Sequence, residues 1–100
     1  MRIVWTKSAL CSWQEIAQYI YDAFGDKALM DFQQKTSEWE TAILSMPRIG
    51  HIEPLTQGMQ EEYRSVIVHK YSKMVYVIDG DVIKILAFWD TRKEPKLPMD

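Results

Sequence analysis

The side chains best suited to chemistry are basic ones in the second half of the chain. Arg64 and Arg92 carry guanidinium forks, which hold phosphate or carboxylate oxygens with paired N–H groups. The predicted strands between them also carry Lys70, Lys73 and Lys84. These residues could recognise a phosphate or an acidic peptide. Alternatively, their long apolar stems simply cover the outside of a half-buried sheet.

The histidines and the single cysteine give weaker signals. His51 and His69 have no Cys or Glu at zinc-ligand spacing. A satisfied core histidine is the simplest interpretation of His69, and His51 lies in a loop without an identifiable catalytic partner. Cys11 falls in a helical pattern, where a small core residue is expected. With no glycine-rich phosphate loop, Ser-His-Asp order or CxxC motif, no cofactor or metal is expected.

Two amphipathic helices are predicted in the first half. A β-type run at residues 2–6 precedes Ser8 and Ser12, either of which can cap a helix. Gly25 suits the end of this helix, Asp26 begins the next, and Pro47 stops it. Because the link is short, the helices should pack as an antiparallel hairpin. The apolar stripes are Leu10, Trp13, Ala17, Ile20, Tyr21 and Phe24, then Leu29, Phe32, Thr36, Trp39, Ile43 and Met46.

A long connection at residues 47–62 leads to three predicted strands, Tyr63–Tyr71, Lys73–Asp79 and Val82–Trp89. Asp79-Gly80-Asp81 is a strong hairpin signal. If both hairpins have two-residue turns, alternation sorts the side chains into two faces. The face predicted to lie under the helices holds Tyr63, Ser65, Ile67, His69, Met74, Tyr76, Ile78, Ile83, Ile85, Ala87 and Trp89. The other holds Arg64, Val66, Val68, Lys70, Lys73, Val75, Val77, Lys84, Leu86 and Phe88, with Arg92 in phase beyond it.

This register splits the basic residues into two groups. At about 3.3 Å per residue, Arg64 and Lys70 lie roughly 20 Å apart, too far for one pocket. Lys70, Lys73 and Arg92 are predicted near one end of the sheet. Arg64 and Lys84 are predicted near the other.

Length and composition predict one domain. A chain of 100 residues that is 47% hydrophobic and 26% charged is ordinary for a globular protein. The net charge of −2 is not the basic footprint of a non-specific nucleic-acid binder. No apolar run is long enough to cross a bilayer, so no membrane partner is expected. One cysteine forms no internal disulfide, which favours the cytoplasm.

Three segments carry a family resemblance: Pro-Leu-Thr-Gln-Gly-Met-Gln-Glu-Glu-Tyr-Arg (54–64), Tyr-Val-Ile-Asp-Gly-Asp-Val-Ile-Lys-Ile-Leu (76–86) and Phe-Trp-Asp-Thr-Arg-Lys-Glu-Pro (88–95). In this order the chain resembles the RelE/ParE superfamily of toxins, of the plasmid-stabilisation type. The resemblance implies an α+β fold, in which an N-terminal strand and an antiparallel helix hairpin pack on one face of an antiparallel β-sheet. Residues 1–95 would form the domain and residues 96–100 a loose tail.

The resemblance also implies function: a growth-arresting toxin of a type II toxin–antitoxin pair, bound by a cognate antitoxin. The ribonuclease branch implies cleavage of mRNA on the ribosome, with Arg64 and Arg92 as catalytic residues that stabilise charge on the phosphate. Lys70, Lys73, Lys84 and Lys93 would bind nucleic acid or a partner.

Two further functions stay open beside the mRNA endonuclease. That branch usually has a Tyr or His acid/base after the last-strand arginine, whereas Lys93-Glu94-Pro95 follows here. The ParE branch instead implies inhibition of DNA gyrase without catalysis. A third possibility is an inactive relative that only binds an antitoxin.

Overall fold

A computed structural model describes residues 1–53, 61–70 and 72–92, and shows two helices packed on one face of a five-stranded sheet. The predicted α+β fold is confirmed. The described elements are β1 (Arg2–Trp5), α1 (Lys7–Phe24), α2 (Asp26–Ser45), β2 (His51–Ile52), β3 (Tyr63–His69), β4 (Ser72–Asp79) and β5 (Val82–Asp90). Residues 54–60 of the predicted connection, residue 71, and residues 93–100, which include the predicted tail at 96–100, lie outside the described residues.

The helices begin and end close to the predicted positions, but their caps differ. Thr6, not Ser8 or Ser12, caps α1, because its hydroxyl accepts the Ala9 N–H at 3.1 Å. Ser12 lies inside α1, and its hydroxyl accepts the backbone N–H of Phe88 at 2.9 Å. Gly25 has φ of +91° and joins the two helices, so α2 starts at Asp26 without a side-chain cap.

The sheet order is β1-β5-β4-β3-β2. The pairs β2–β3, β3–β4 and β4–β5 are antiparallel, whereas β1 and β5 are parallel. The sheet is therefore mixed, and β1 is one of its edges. The predicted antiparallel pairing holds for β3, β4 and β5, and β1 adds a parallel strand at one edge. The direction of β1 could not be predicted, because a strand that precedes a helix hairpin can return to either edge and the short run itself does not encode its direction.

Two register shifts reverse the predicted faces over part of β3 and β5. Val68 is an extra residue in β3 against β4, and Leu86 is an extra residue in β5. Each extra residue moves the side chains beyond it to the opposite face. The helix face of the sheet thus contains Arg64, Val66, Val68, Met74, Tyr76, Ile78, Ile83, Ile85 and Phe88. The outer face contains Tyr63, Ser65, Ile67, Lys73, Val75, Val77, Lys84, Ala87 and Trp89.

The main core lies between the helix face of the sheet and the inner sides of α1 and α2. Trp13 stacks on Phe32 with ring centroids 5.3 Å apart, and its indole N–H donates to Thr36 Oγ1 at 3.0 Å. Trp13 and Thr36 lie at similar distances in sequence from Gly25, as an antiparallel helix hairpin requires. The predicted stripes were wrong at their ends, where Leu10, Tyr21, Phe24 and Met46 are exposed.

Candidate functional site

The Arg64 side chain is only 13% exposed and is held by contacts within the protein. Its side chain lies on the helix face of β3, beside Tyr76 of β4. One terminal nitrogen donates to the carbonyl oxygens of Gly50 at 2.6 Å and Arg48 at 3.2 Å. The other terminal nitrogen pairs with the Glu62 carboxylate. The guanidinium fork is thus directed into the protein's own backbone.

Tyr76 holds the same stretch of chain, which we call the strap (residues 47–53). The Tyr76 hydroxyl donates to the Pro47 carbonyl oxygen at 2.7 Å and accepts the Gly50 N–H at 3.0 Å. A Cβ atom on Gly50 would lie 2.8 Å from that hydroxyl oxygen, so only glycine fits there unchanged. Burial is the main cause that raises the Tyr76 pKa, which keeps the phenol protonated as a donor.

The strap continues through β2, the edge strand that pairs with β3, to Glu53, which is buried on the outer face. Its carboxylate accepts from Lys73 Nζ at 2.7 Å and Ser65 Oγ at 2.9 Å. Lys73 also lies over the Trp89 ring, with its ammonium 5.1 Å from the centroid. Lys73 was predicted as a nucleic-acid or partner contact, and its ammonium group here belongs to an intramolecular ion pair.

Arg92 lies at the other end of the sheet. Its guanidinium donates to both oxygens of Asp90, at 3.1 and 2.9 Å, and lies over the Tyr19 ring of α1 at 5.3 Å. Hydrogen bonding to Asp90 is the largest cause that raises the Arg92 pKa, so the group stays charged. Its side chain is 44% exposed, far more than that of Arg64. Arg92 is therefore held in place yet accessible.

His69, the last residue of β3, lies at the same end of the sheet as Arg92. His69, Ser72 and Asp90 are directly paired across three neighbouring strands, so their side chains share one face. Burial and the charges of Arg92 and Lys70 lower the His69 pKa, in that order. Between them, the Ser72 hydroxyl is buried without a hydrogen-bond partner among the described residues. Sequence reasoning assigned His69 to the core and missed this row, because the bulge at Val68 sets the pairing.

The two arginines predicted as catalytic do not meet. Arg64 is level with Tyr76, whereas Asp90 is level with Ser72 and Arg92 follows two residues later. Tyr76 and Ser72 are separated by about 13 Å along β4 at ~3.3 Å per residue, and the Arg92 guanidinium is held at the Asp90 carboxylate. Lys84, on the outer face, pairs with Asp79 at 3.0 Å. Lys70 lies in the turn after β3, and Lys93 lies outside the described residues.

An open pocket of about 570 Å³ lies between α2 and the end of β3. His69 and Lys70 line one side of it, and Phe32 and Lys35 line the other. In the described part of the chain, no group of three or more His, Cys, Asp or Glu side chains is arranged to hold a metal ion. Nor does any described helix have the length and apolar character needed to cross a membrane.

Comparison with known proteins identifies the fold and the family. Among solved structures, a chain of the chromosomal ParDE toxin–antitoxin system from P. aeruginosa superposes with a TM-score of 0.70 at 16% identity, covering 90% of this chain and 95% of that one. The YoeB dimer from Staphylococcus aureus gives a TM-score of 0.58 at 21% identity, covering 87% and 92%. A search of curated proteins gives no match.

The family itself is shown by the sequence. Residues 3–95 match the family model of the ParE toxin of the type II toxin–antitoxin system parDE. This match spans nearly the whole chain and confirms the predicted resemblance. The chain belongs to the ParE toxin family and is the toxin of a type II toxin–antitoxin system, whose partner is an antitoxin.

Proposed function

We propose that this toxin arrests growth by binding and inhibiting DNA gyrase, without chemistry of its own. The observation that carries the proposal is the separation and engagement of the two candidate catalytic arginines. Arg64 is directed into the carbonyl oxygens of the strap, and the Asp90 carboxylate that holds Arg92 lies about 13 Å away along the sheet. One scissile phosphate cannot contact both. Membership of the ParE family adds support, because the resemblance to the ParE branch implies inhibition of gyrase. That function requires no set of catalytic residues.

The test uses purified toxin and gyrase in a supercoiling assay with relaxed plasmid. Supercoiling should fall with increasing toxin and recover when the cognate antitoxin is added. In cells, induction should raise a DNA-damage reporter before protein synthesis declines. Unchanged supercoiling at a large molar excess of active toxin would refute the proposal.

Cleavage of mRNA is the second candidate, and the row containing His69 favours it. A lowered pKa leaves the His69 imidazole neutral near pH 7, so one ring nitrogen can accept the proton of an attacking 2′-hydroxyl. Arg92 and Lys70 lie close enough to influence that pKa and would stabilise charge on the phosphate. Under this hypothesis His69, not a residue after Arg92, supplies the acid/base group.

The two candidates separate in a translation assay that contains mRNA and ribosomes. Under the nuclease hypothesis, transcripts are cleaved, and His69→Ala or Arg92→Ala abolishes cleavage while the circular dichroism spectrum is unchanged. Lys27→Ala is the matched control, because Lys27 is an exposed lysine at the start of α2 and is assigned to no site. Intact transcripts in cells arrested by the wild-type protein would exclude this function.

A further inference from the structure

Arg64 and Tyr76 hold the strap through one connected set of hydrogen bonds. Arg64 holds the carbonyl oxygens of Arg48 and Gly50, and Tyr76 holds the Pro47 carbonyl and the Gly50 N–H. Four backbone groups within four consecutive residues are thus held by two side chains from neighbouring strands. Arg64 and Tyr76 are also direct cross-strand partners, so each fixes the position of the other.

The charge and burial of Arg64 make it the main residue that holds the strap in place. Arg48 and Glu62 form an ion pair at 3.6 Å, and Arg64 contacts both the Arg48 carbonyl and the Glu62 carboxylate. A guanidinium reaches several acceptors at once with fixed geometry, which an ammonium group cannot do. The Arg64 Nε atom is buried without a partner among the described residues. A buried N–H group without an acceptor costs free energy. The contacts of the terminal nitrogens, not Nε, therefore determine where the side chain lies.

We infer that Arg64 is a positioning residue, which acts by anchoring the strap to the sheet through Tyr76 and not by contacting the toxin's target. The inference goes beyond the proposed function and does not depend on whether the target is gyrase or mRNA. Tyr76 supplies the means to test it. Its side chain is fully buried and cannot touch any target, so a phenotype that Arg64 shares with Tyr76 arises from the strap.

The experiment is limited trypsin digestion of the folded protein, with cleavage after Arg48 followed by mass spectrometry. The exposed Arg48 side chain makes this bond a reporter of strap opening. Arg64→Ala and Tyr76→Phe should each accelerate cleavage roughly tenfold, since each removes hydrogen bonds that hold the strap closed. The double variant should be cleaved little faster than the quicker single variant, because the two side chains hold the same segment.

Controls separate anchoring from general destabilisation. Ile20→Val removes a buried methyl group beneath α1 and so lowers overall stability without touching the strap. It should therefore leave cleavage after Arg48 unchanged. Arg64→Lys should restore protection only in part, and it replaces Arg64→Ala if that variant does not fold. Growth arrest by Tyr76→Phe should decline in step with strap opening. An Arg64 variant that loses growth arrest while the bond after Arg48 stays protected would overturn the inference, as would normal protection in Tyr76→Phe.

Discussion

Replacement of Lys73 by methionine should destabilise the protein strongly, although Lys73 lies on the sheet face away from the helices. Methionine keeps an unbranched side chain, one atom shorter than that of lysine, but removes the cation from the Glu53 carboxylate, which is 1% exposed. Removing one partner of a buried ion pair typically costs about 3–5 kcal/mol. Lys73 itself is 19% exposed, so water partly compensates and the lower end of that range applies. Loss of the contact with Trp89 adds about 0.5–1 kcal/mol.

The expected loss is therefore about 3.5–4 kcal/mol, a large share of the ~5–15 kcal/mol that stabilises most domains. Equilibrium unfolding in urea measures it, and tryptophan fluorescence reports on the site because Trp89 lies beneath Lys73. Lys84→Met is the matched control. Its partner Asp79 is 65% exposed, so that change should cost under about 1 kcal/mol.

A double-mutant cycle tests the physical reasoning. Glu53→Gln combined with Lys73→Met removes both charges, and the pair should be more stable than the sum of the single losses predicts by about 2 kcal/mol. If Lys73→Met stays within about 1 kcal/mol of the wild type, the pair contributes no more than a surface ion pair does. Additive single losses would equally refute the account.

Three other changes have defined outcomes. Gly50→Ala places a methyl group 2.8 Å from the Tyr76 hydroxyl oxygen, and thermal unfolding should show a loss of about 1–3 kcal/mol. Thr36→Val removes the acceptor of the Trp13 indole N–H, and denaturant titration should show about 1–2 kcal/mol lost. In an NMR titration His69 should have its midpoint below the usual 6.5, and Arg92→Ala should raise it. Because the unfolded chain takes up this proton first, the His69 contribution to stability should fall as the pH drops below about 6.5.

The fold could be predicted from the sequence wherever local signals and burial agree. The helix period, Gly25 and Pro47 defined α1 and α2, and Asp79-Gly80-Asp81 defined the last hairpin, because each of these signals acts within a few residues. The edge strands were harder. The two-residue strand β2 has no run of its own, and the parallel pairing of β1 depends on contacts formed 80 positions along the chain, from Arg2 to Val82.

The candidate site was less accessible from sequence, because single extra residues decide it. Val68 and Leu86 are ordinary strand residues, and nothing in their types marks a bulge. Yet the register shift at Val68 turns Arg64 towards the helices, where it meets the strap. Glu53 was not singled out, since a carboxylate in a proline- and glycine-containing loop is usually solvated. Its burial depends on Lys73 and Ser65, which only the folded sheet brings to it.

The pairing of β1 with β5 has a consequence for how this toxin forms during synthesis. Residues 2–5 leave the ribosome before their partners at 82–85, which emerge 80 residues later. At about 5–20 residues per second, that interval is roughly 4–16 seconds. The helix hairpin can form early from local contacts, whereas closing so long a loop waits for the last strand. A growing chain therefore lacks the completed sheet until β5 has emerged, which gives an antitoxin already present in the cell time to meet the toxin as it folds.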